Sequence, residues 1–153
     1  MPSSAGCVIL MTIPVPGGQY MVERFRPHHI FCQRFLTLSF PERGEEFDGA
    51  KRRAIEIIGS HEETLVEAIE GVDQICRVCR NRQGDRCESP AGNEEAVRKW
   101  DAIILKGLGI RYGETRTAKQ WRTLIDGKAP LDLCTLRCPY RSKCTITGSR
   151  TTA

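Results

Sequence analysis

Two cysteine triplets hold the residues best suited to chemistry. They are Cys76-Arg77-Val78-Cys79 with Cys87, spaced Cys-x2-Cys-x7-Cys, and Cys134, Cys138 and Cys144, spaced Cys-x3-Cys-x5-Cys. Thiolates this close in sequence can converge on one soft metal centre, because a tight turn brings their sulfurs together. Upstream, Arg26-Pro27-His28-His29-Ile30-Phe31-Cys32 adds a lone cysteine. Pro27 suits the first position of a helix. His28 and Cys32 would then be i and i+4 on one face, with His29 nearly as close. One helix end would thus offer a thiolate and an imidazole together. The candidate ligands are Cys32, Cys76, Cys79, Cys87, Cys134, Cys138 and Cys144, joined by His28 and His29. The plain alternatives are a small buried apolar Cys32 and histidines that cap the helix, handle protons or bind a substrate anion.

The spacing favours one metal chemistry over another. A closed zinc site takes four ligands, and zinc ribbons supply them as two Cys-x2-Cys pairs; this chain has one such pair. A [4Fe–4S] cluster more readily draws three thiolates from one segment and a fourth from a distance. The first triplet could be completed by Cys32 or by one cysteine of the second triplet. Two sites of four ligands each, sharing seven cysteines and one histidine, also fit the arithmetic. Cys138-Pro139 is a pairing common in iron–sulfur sequences. The expected cofactor is an iron–sulfur cluster of the [4Fe–4S] type, with zinc as the alternative.

Composition bounds the rest. A chain of 153 residues, 40% hydrophobic and 27% charged, is an ordinary single-domain length and makeup. It can bury a core without disulfides. Reading the eight cysteines as disulfides would require an oxidising compartment. The apolar run Cys7 to Val15 has no basic segment before it, is interrupted by Pro14, and is too short to cross a membrane. The expectation is a cytoplasmic protein without membrane contact, its thiols reduced or metal-bound. Charge is unevenly placed: residues 1–75 hold 7 Lys/Arg against 11 Asp/Glu (−4), and residues 76–153 hold 16 against 8 (+8). Arg77, Arg80, Arg82 and Arg86 surround the first triplet; Arg137, Arg141 and Lys143 surround the second. Cations there lower thiolate pKa and offset a thiolate-ligated centre. They would also steer an acidic partner protein. A phosphate-binding face and a solvated basic surface are the rival readings.

The elements that must position these residues follow from periodicity. Residues 1–20, rich in Gly, Pro and Ser, read as a flexible tail, with Met21 as the natural start and Cys7 outside the site. Phe31, Phe35 and Leu38 give the helix after Pro27 a core-facing stripe. Glu45 to Gly59 reads as a helix burying Phe47, Ala50, Ala54, Ile57 and Ile58. Thr64 to Ile69 reads as a short strand ahead of Gly71. Residues 80–85 form a polar loop with Gly84 available for a left-handed turn. Glu94 to Leu108 reads as a helix with a Val97, Trp100, Ile104 and Leu108 stripe. Thr117-Ala118-Lys119-Gln120 is a capping box opening a helix that buries Trp121, Leu124 and Ile125 and ends at Asp126-Gly127. Pro130 opens a further helical turn that delivers Cys134. The fold expected is α+β and mainly helical: a small single domain over 21–147 with two cysteine knuckles at a metal site, and a frayed tail at 148–153.

Arg26-Pro27-His28-His29-x-x-Cys32, Ile75-Cys76-x-x-Cys79 with Cys87, and Cys134-x3-Cys138 with Cys144 together resemble an uncharacterised prokaryotic family, domain of unknown function 1284. The resemblance runs from about Phe25 to Cys144. Members of that family are described as iron–sulfur-binding proteins, so the resemblance implies a cluster here. The function expected is an iron–sulfur protein that transfers electrons or senses redox state. One alternative is an enzyme using an open iron of a [4Fe–4S] cluster, with His28 or His29 supplying a proton. Against an enzyme, the chain has no Gly-rich phosphate loop, Ser nucleophile elbow or radical-type Cys-x3-Cys-x2-Cys motif; catalysis stays open because an open cluster needs none of these. The other alternative is a zinc-stabilised adaptor for nucleic acid or protein. Tyr140 is the only aromatic inside either knuckle, so stacking on a single strand has little to work with.

Overall fold

A computed structural model describes residues 21–36, 39–90 and 92–148. Among them the chain forms seven α-helices and six short strands. The fold is α+β, as expected, and forms one hydrophobic core.

The centre of the core is a small mixed sheet. Strand β1 (Glu23–Phe25) pairs parallel with β2 (Leu65–Ala68), Glu23 opposite Val66 and Phe25 opposite Ala68. On its other edge β2 pairs antiparallel with β6 (Thr115–Thr117). Phe25, Val66 and Ala68 are fully buried. Helix α2 (Glu45–Ser60) and α5 (Ala118–Lys128) pack against each other, and the Trp121 indole on α5 donates to the Val66 carbonyl at 2.8 Å. That bond lets a large ring lie wholly inside the core without stranding its N–H. The expected strand, the α2 face and the Thr117 capping box are all present, the box with both of its bonds formed.

Helix α4 (Glu94–Leu108) has the predicted bounds. Asn93 caps it by accepting from the Ala96 N–H, and Gly109 closes it at φ 70°, a left-handed conformation that costs glycine little. A second sheet lies just ahead of it. Strands β3 (Arg82–Gln83), β4 (Arg86–Ser89) and β5 (Gly92–Asn93) form an antiparallel meander, with Gly84 at φ 59° in its first turn. The polar loop expected at 80–85 is therefore the start of a hairpin. Strands of two to four residues are too short to show a period.

Several boundaries differ from the sequence reading. Helix α1 (Pro27–Cys32) stops at Cys32; Phe35 reaches the core from a turn, and Leu38 lies outside the described residues. Helix α2 continues through Gly59 to Ser60, and α5 continues through Gly127 to Lys128. A four-residue helix, α3 (Gln74–Arg77), carries Cys76. Pro130 precedes rather than opens α6 (Asp132–Leu136), and α7 (Thr145–Gly148) follows a 3-10 turn at Arg141–Lys143. The tail and Cys7 of the sequence reading lie outside the described residues, as do 149–153.

Candidate metal centre

All seven cysteines from Cys32 to Cys144 line one cavity of about 110 Å³, together with His28 and His29. Each is a free thiol. Residues spread over more than a hundred positions thus line one cavity.

The cavity wall is assembled around Arg26, which is fully buried at the start of α1. Its guanidinium forms a two-bond fork with Glu94, Nη1 to Oε2 at 3.1 Å and Nη2 to Oε1 at 3.2 Å. Its Nε donates to Asp101 Oδ2 at 3.0 Å. Burial alone would lower the Arg26 pKa, but Glu94 and Asp101 reverse that and hold it above its ordinary value. A buried guanidinium survives only with such partners. Here the partners reach further. Glu94 Oε2 also accepts from the Cys87 backbone N–H at 2.9 Å, so the arginine that anchors α1 also fixes the second turn of the first knuckle.

Asp73 does the same for Cys76. Its Oδ1 accepts from the Ile75 and Cys76 N–H groups, each at 2.9 Å, capping α3. Its Oδ2 accepts from the Arg26 N–H at 2.8 Å and meets His29 Nδ1 at 2.5 Å. Burial would raise this carboxyl, yet the His29 ring and the backbone donors hold it well below the usual carboxylate range. As a carboxylate it accepts from His29 Nδ1–H, so Nε2 is the His29 ring nitrogen not used in this bond. His29, Asp73 and Cys76 bring ligand atoms within 4.8 Å of one another. All four acceptor sites of Asp73 are already used. It is therefore the residue that orients the histidine, in the manner of the carboxylate–histidine pairs behind metal ligands.

His28 repeats the pattern on the next residue. Its Nδ1 meets Asp101 Oδ1 at 2.7 Å, and its backbone N–H donates to the same oxygen at 3.0 Å. The two imidazoles lie 4.1 Å apart between ring centroids. Burial, aided by His29 alongside, lowers the His28 pKa against the pull of Asp101, so a neutral ring is favoured.

The thiols divide into two neighbourhoods. Cys79 N–H donates to the Cys76 carbonyl, Arg82 N–H to the Cys79 carbonyl, and the β3–β4 register sets Cys87 opposite Arg82. The Cys87 thiol donates to the Gly92 carbonyl at 3.5 Å. A Cβ on Gly92 would lie 2.4 Å from the Trp100 ring, so only glycine lets the backbone pass there. Trp100, expected in the core stripe, is partly buried and lines the cavity. The second neighbourhood is built from the chain's two ends. Leu36 and Cys144 form an antiparallel bridge, and Thr145 N–H donates to the Phe35 carbonyl at 2.9 Å. Cys138 N–H donates to the Leu133 carbonyl at 2.9 Å, folding the turn after α6 back towards Cys134. Burial raises the Cys32 thiol well above its ordinary pKa, and its next strongest influences are Cys134, Cys138 and Cys144. Burial raises Cys76 likewise, with Asp73 adding to it. Leu36 N–H donates to the Cys32 carbonyl at 3.1 Å, so the Leu36–Cys144 bridge ties Cys32 to the second triplet.

A cluster suits this donor set on two grounds. Seven thiols and two Nδ1-bound imidazoles facing one cavity are soft ligands in excess of what one mononuclear site takes. Two buried atoms of cavity residues, Gln33 Oε1 and Arg43 Nε, have no hydrogen-bond partner among the described residues. Arg43 Nε–H is the kind of donor that the sulfurs of a cluster accept from.

Sequence periodicity misses Asp73, Glu94 and Asp101. A signal for two of them was present: Glu94, Val97, Asp101, Ile104 and Leu108 share one helical face, and all five are buried. Carboxylates inside an apolar stripe demand a buried cation, and Arg26 is it.

Searches against curated proteins and against solved structures give no match. The family described as "Protein of unknown function (DUF1284)" matches residues 44–144, a stretch that includes six of the seven cavity cysteines and begins after Arg26, the two histidines and Cys32. With two thirds of its length matched, the chain belongs to the DUF1284 family.

Proposed function

We propose that this chain is an iron–sulfur protein with a redox role, carrying or sensing electrons. The observation that supports it is the convergence of Cys32, both triplets, His28 and His29 on one cavity. When bound, the cluster supplies one-electron chemistry. The chain's own residues hold it and shape its surroundings. The cysteines ligate, Asp73 and Asp101 fix the imidazoles, and Phe31, Trp100 and Ile104 keep part of the wall apolar. Arg82, Arg86 and Arg141 also line the cavity and lie exposed at its rim. They offset thiolate charge and favour an acidic partner protein. Nucleic acid is the less favoured partner.

His28 supports a second reading. A neutral imidazole on the cavity wall, backed by a buried carboxylate, is equipped to take up a proton. An enzyme acting at an open iron would use it so.

The test is anaerobic purification with visible absorption, iron, zinc and acid-labile sulfide measured on one sample. Brown protein with iron and sulfide in similar amounts is the expected result. Colourless protein with stoichiometric zinc and no sulfide would replace this reading with the zinc-stabilised adaptor.

A further inference from the structure

Seven cysteines and two histidines line the cavity, at least twice the four ligands that one cluster takes. We propose that it carries two metal centres: one on Cys76, Cys79, Cys87 and His29 Nε2, the other on Cys32, Cys134, Cys138 and Cys144. This rests on the iron–sulfur reading and adds the ligand partition, which sequence spacing leaves open.

The first set is tied together through Asp73, Glu94 and the β3–β4 hairpin. Asp73 holds both the His29 ring and the Cys76 backbone, so this histidine and this cysteine are fixed to one carboxylate. Glu94 and the hairpin register return Cys87 to the same side. Nothing in this set requires a residue beyond α4. The second set is tied together through the Leu36–Cys144 bridge and the fold-back of Cys138 onto Leu133. Cys32 joins this set through Leu36, whose N–H donates to the Cys32 carbonyl at 3.1 Å while Leu36 bridges Cys144.

His29 is the eighth ligand and not His28, because His29 shares its carboxylate with Cys76. His28 shares Asp101 with Arg26 and with no cysteine backbone. A neutral imidazole in place of an anionic thiolate leaves the first centre one negative charge lighter. Lower negative charge makes a cluster easier to reduce, so this centre has the higher potential of the two.

The deciding experiment reconstitutes the full chain anaerobically with iron and sulfide and counts both, with zinc, per chain. Expected are about eight irons and eight sulfides on the basis of two four-iron clusters. Cys32→Ser and Cys79→Ser should each remove half, and the two losses should add. A redox titration should show two steps, and His29→Cys should lower the higher one while leaving the other in place. That shift is one a merely structural role for His29 would not produce. Four irons and four sulfides, lost entirely in either serine variant, would overturn the partition and leave the iron–sulfur reading standing. Two zincs per chain without sulfide, halved by each variant, would keep the partition and overturn the iron–sulfur reading. Neither metal bound would overturn both.

Discussion

The two cysteine triplets look alike in sequence but are held by different means. Cys76, Cys79 and Cys87 hang on buried charge. Behind them Arg26 pairs with Glu94 and Asp101, Asp73 joins through the Arg26 backbone N–H, and hydrogen bonds from these carboxylates reach the backbone of two of the three cysteines. Cys134, Cys138 and Cys144 rest on short helices and backbone bonds, with Leu136 71% exposed between the first two. These bonds hold the first set in place without any metal. The second set depends on two distant segments staying together. Pre-organised ligands bind with less ordering cost than ligands gathered on binding, so the first set should load first and release last.

The comparison is broken most severely at Arg26. Arg26→Met removes the guanidinium that Glu94 and Asp101 share and strands both carboxylates; removing one partner of a buried ion network costs about 3–5 kcal/mol. Urea unfolding of the metal-free chain should show a loss of that order, and an unchanged midpoint would deny the network its role. Next comes Asp73→Asn, which keeps the shape but turns one accepting oxygen into a donor facing donors. Loss of such an orienting carboxylate typically weakens metal binding about 10–100-fold. Chelator competition should show that weakening, with first-set metal leaving ahead of second-set metal; equal weakening of both would erase the distinction. Gly92→Ala drives a methyl into the Trp100 ring, an overpacking of about 1–3 kcal/mol. Its thermal unfolding should shift down, and its visible spectrum should change in the first-set contribution alone. The smallest effect belongs to Thr117→Ala at the start of α5, far from both sets in connectivity. Losing the cap should cost about 1 kcal/mol with metal content unaltered; a loss of iron there would show that the sites respond to any destabilisation.

How much of this was legible in the sequence follows from the range of the interactions. Helices α2, α4 and α5 were readable because each repeats a local apolar period over several turns, and α5 carries its own capping box. The end of α5 was misjudged because Gly127 within an otherwise favourable helix costs only about 1 kcal/mol, less than the packing around it supplies. The meander β3–β5 left no trace, its strands being too short for alternation. Within the cavity, the candidate residue types and the His-His-x-x-Cys arrangement were legible because they are local. The pairing of Cys32 with the second triplet was not, since it depends on the Leu36–Cys144 bridge across more than a hundred residues. Arg26 was read as part of a motif without its purpose. That purpose shows only when Glu94 and Asp101, far along the chain, are seen to need it.

The Leu36–Cys144 bridge also sets an order of events on the ribosome. Every residue of the first set and of its charged network has emerged once α4 is out, while the second set lacks a member until Cys144 is made. From Cys87 to Cys144 is 57 residues (144 − 87). At typical synthesis rates that is about 3–11 s, and for the first 47 of those residues (134 − 87) Cys32 has no companion thiol from the second triplet. In that interval the nascent chain exposes a solitary sulfur beside a nearly complete site. If the chain carries two centres as proposed, a delivery system that arrives early would meet only one destination, and the other would wait until Cys144 is made.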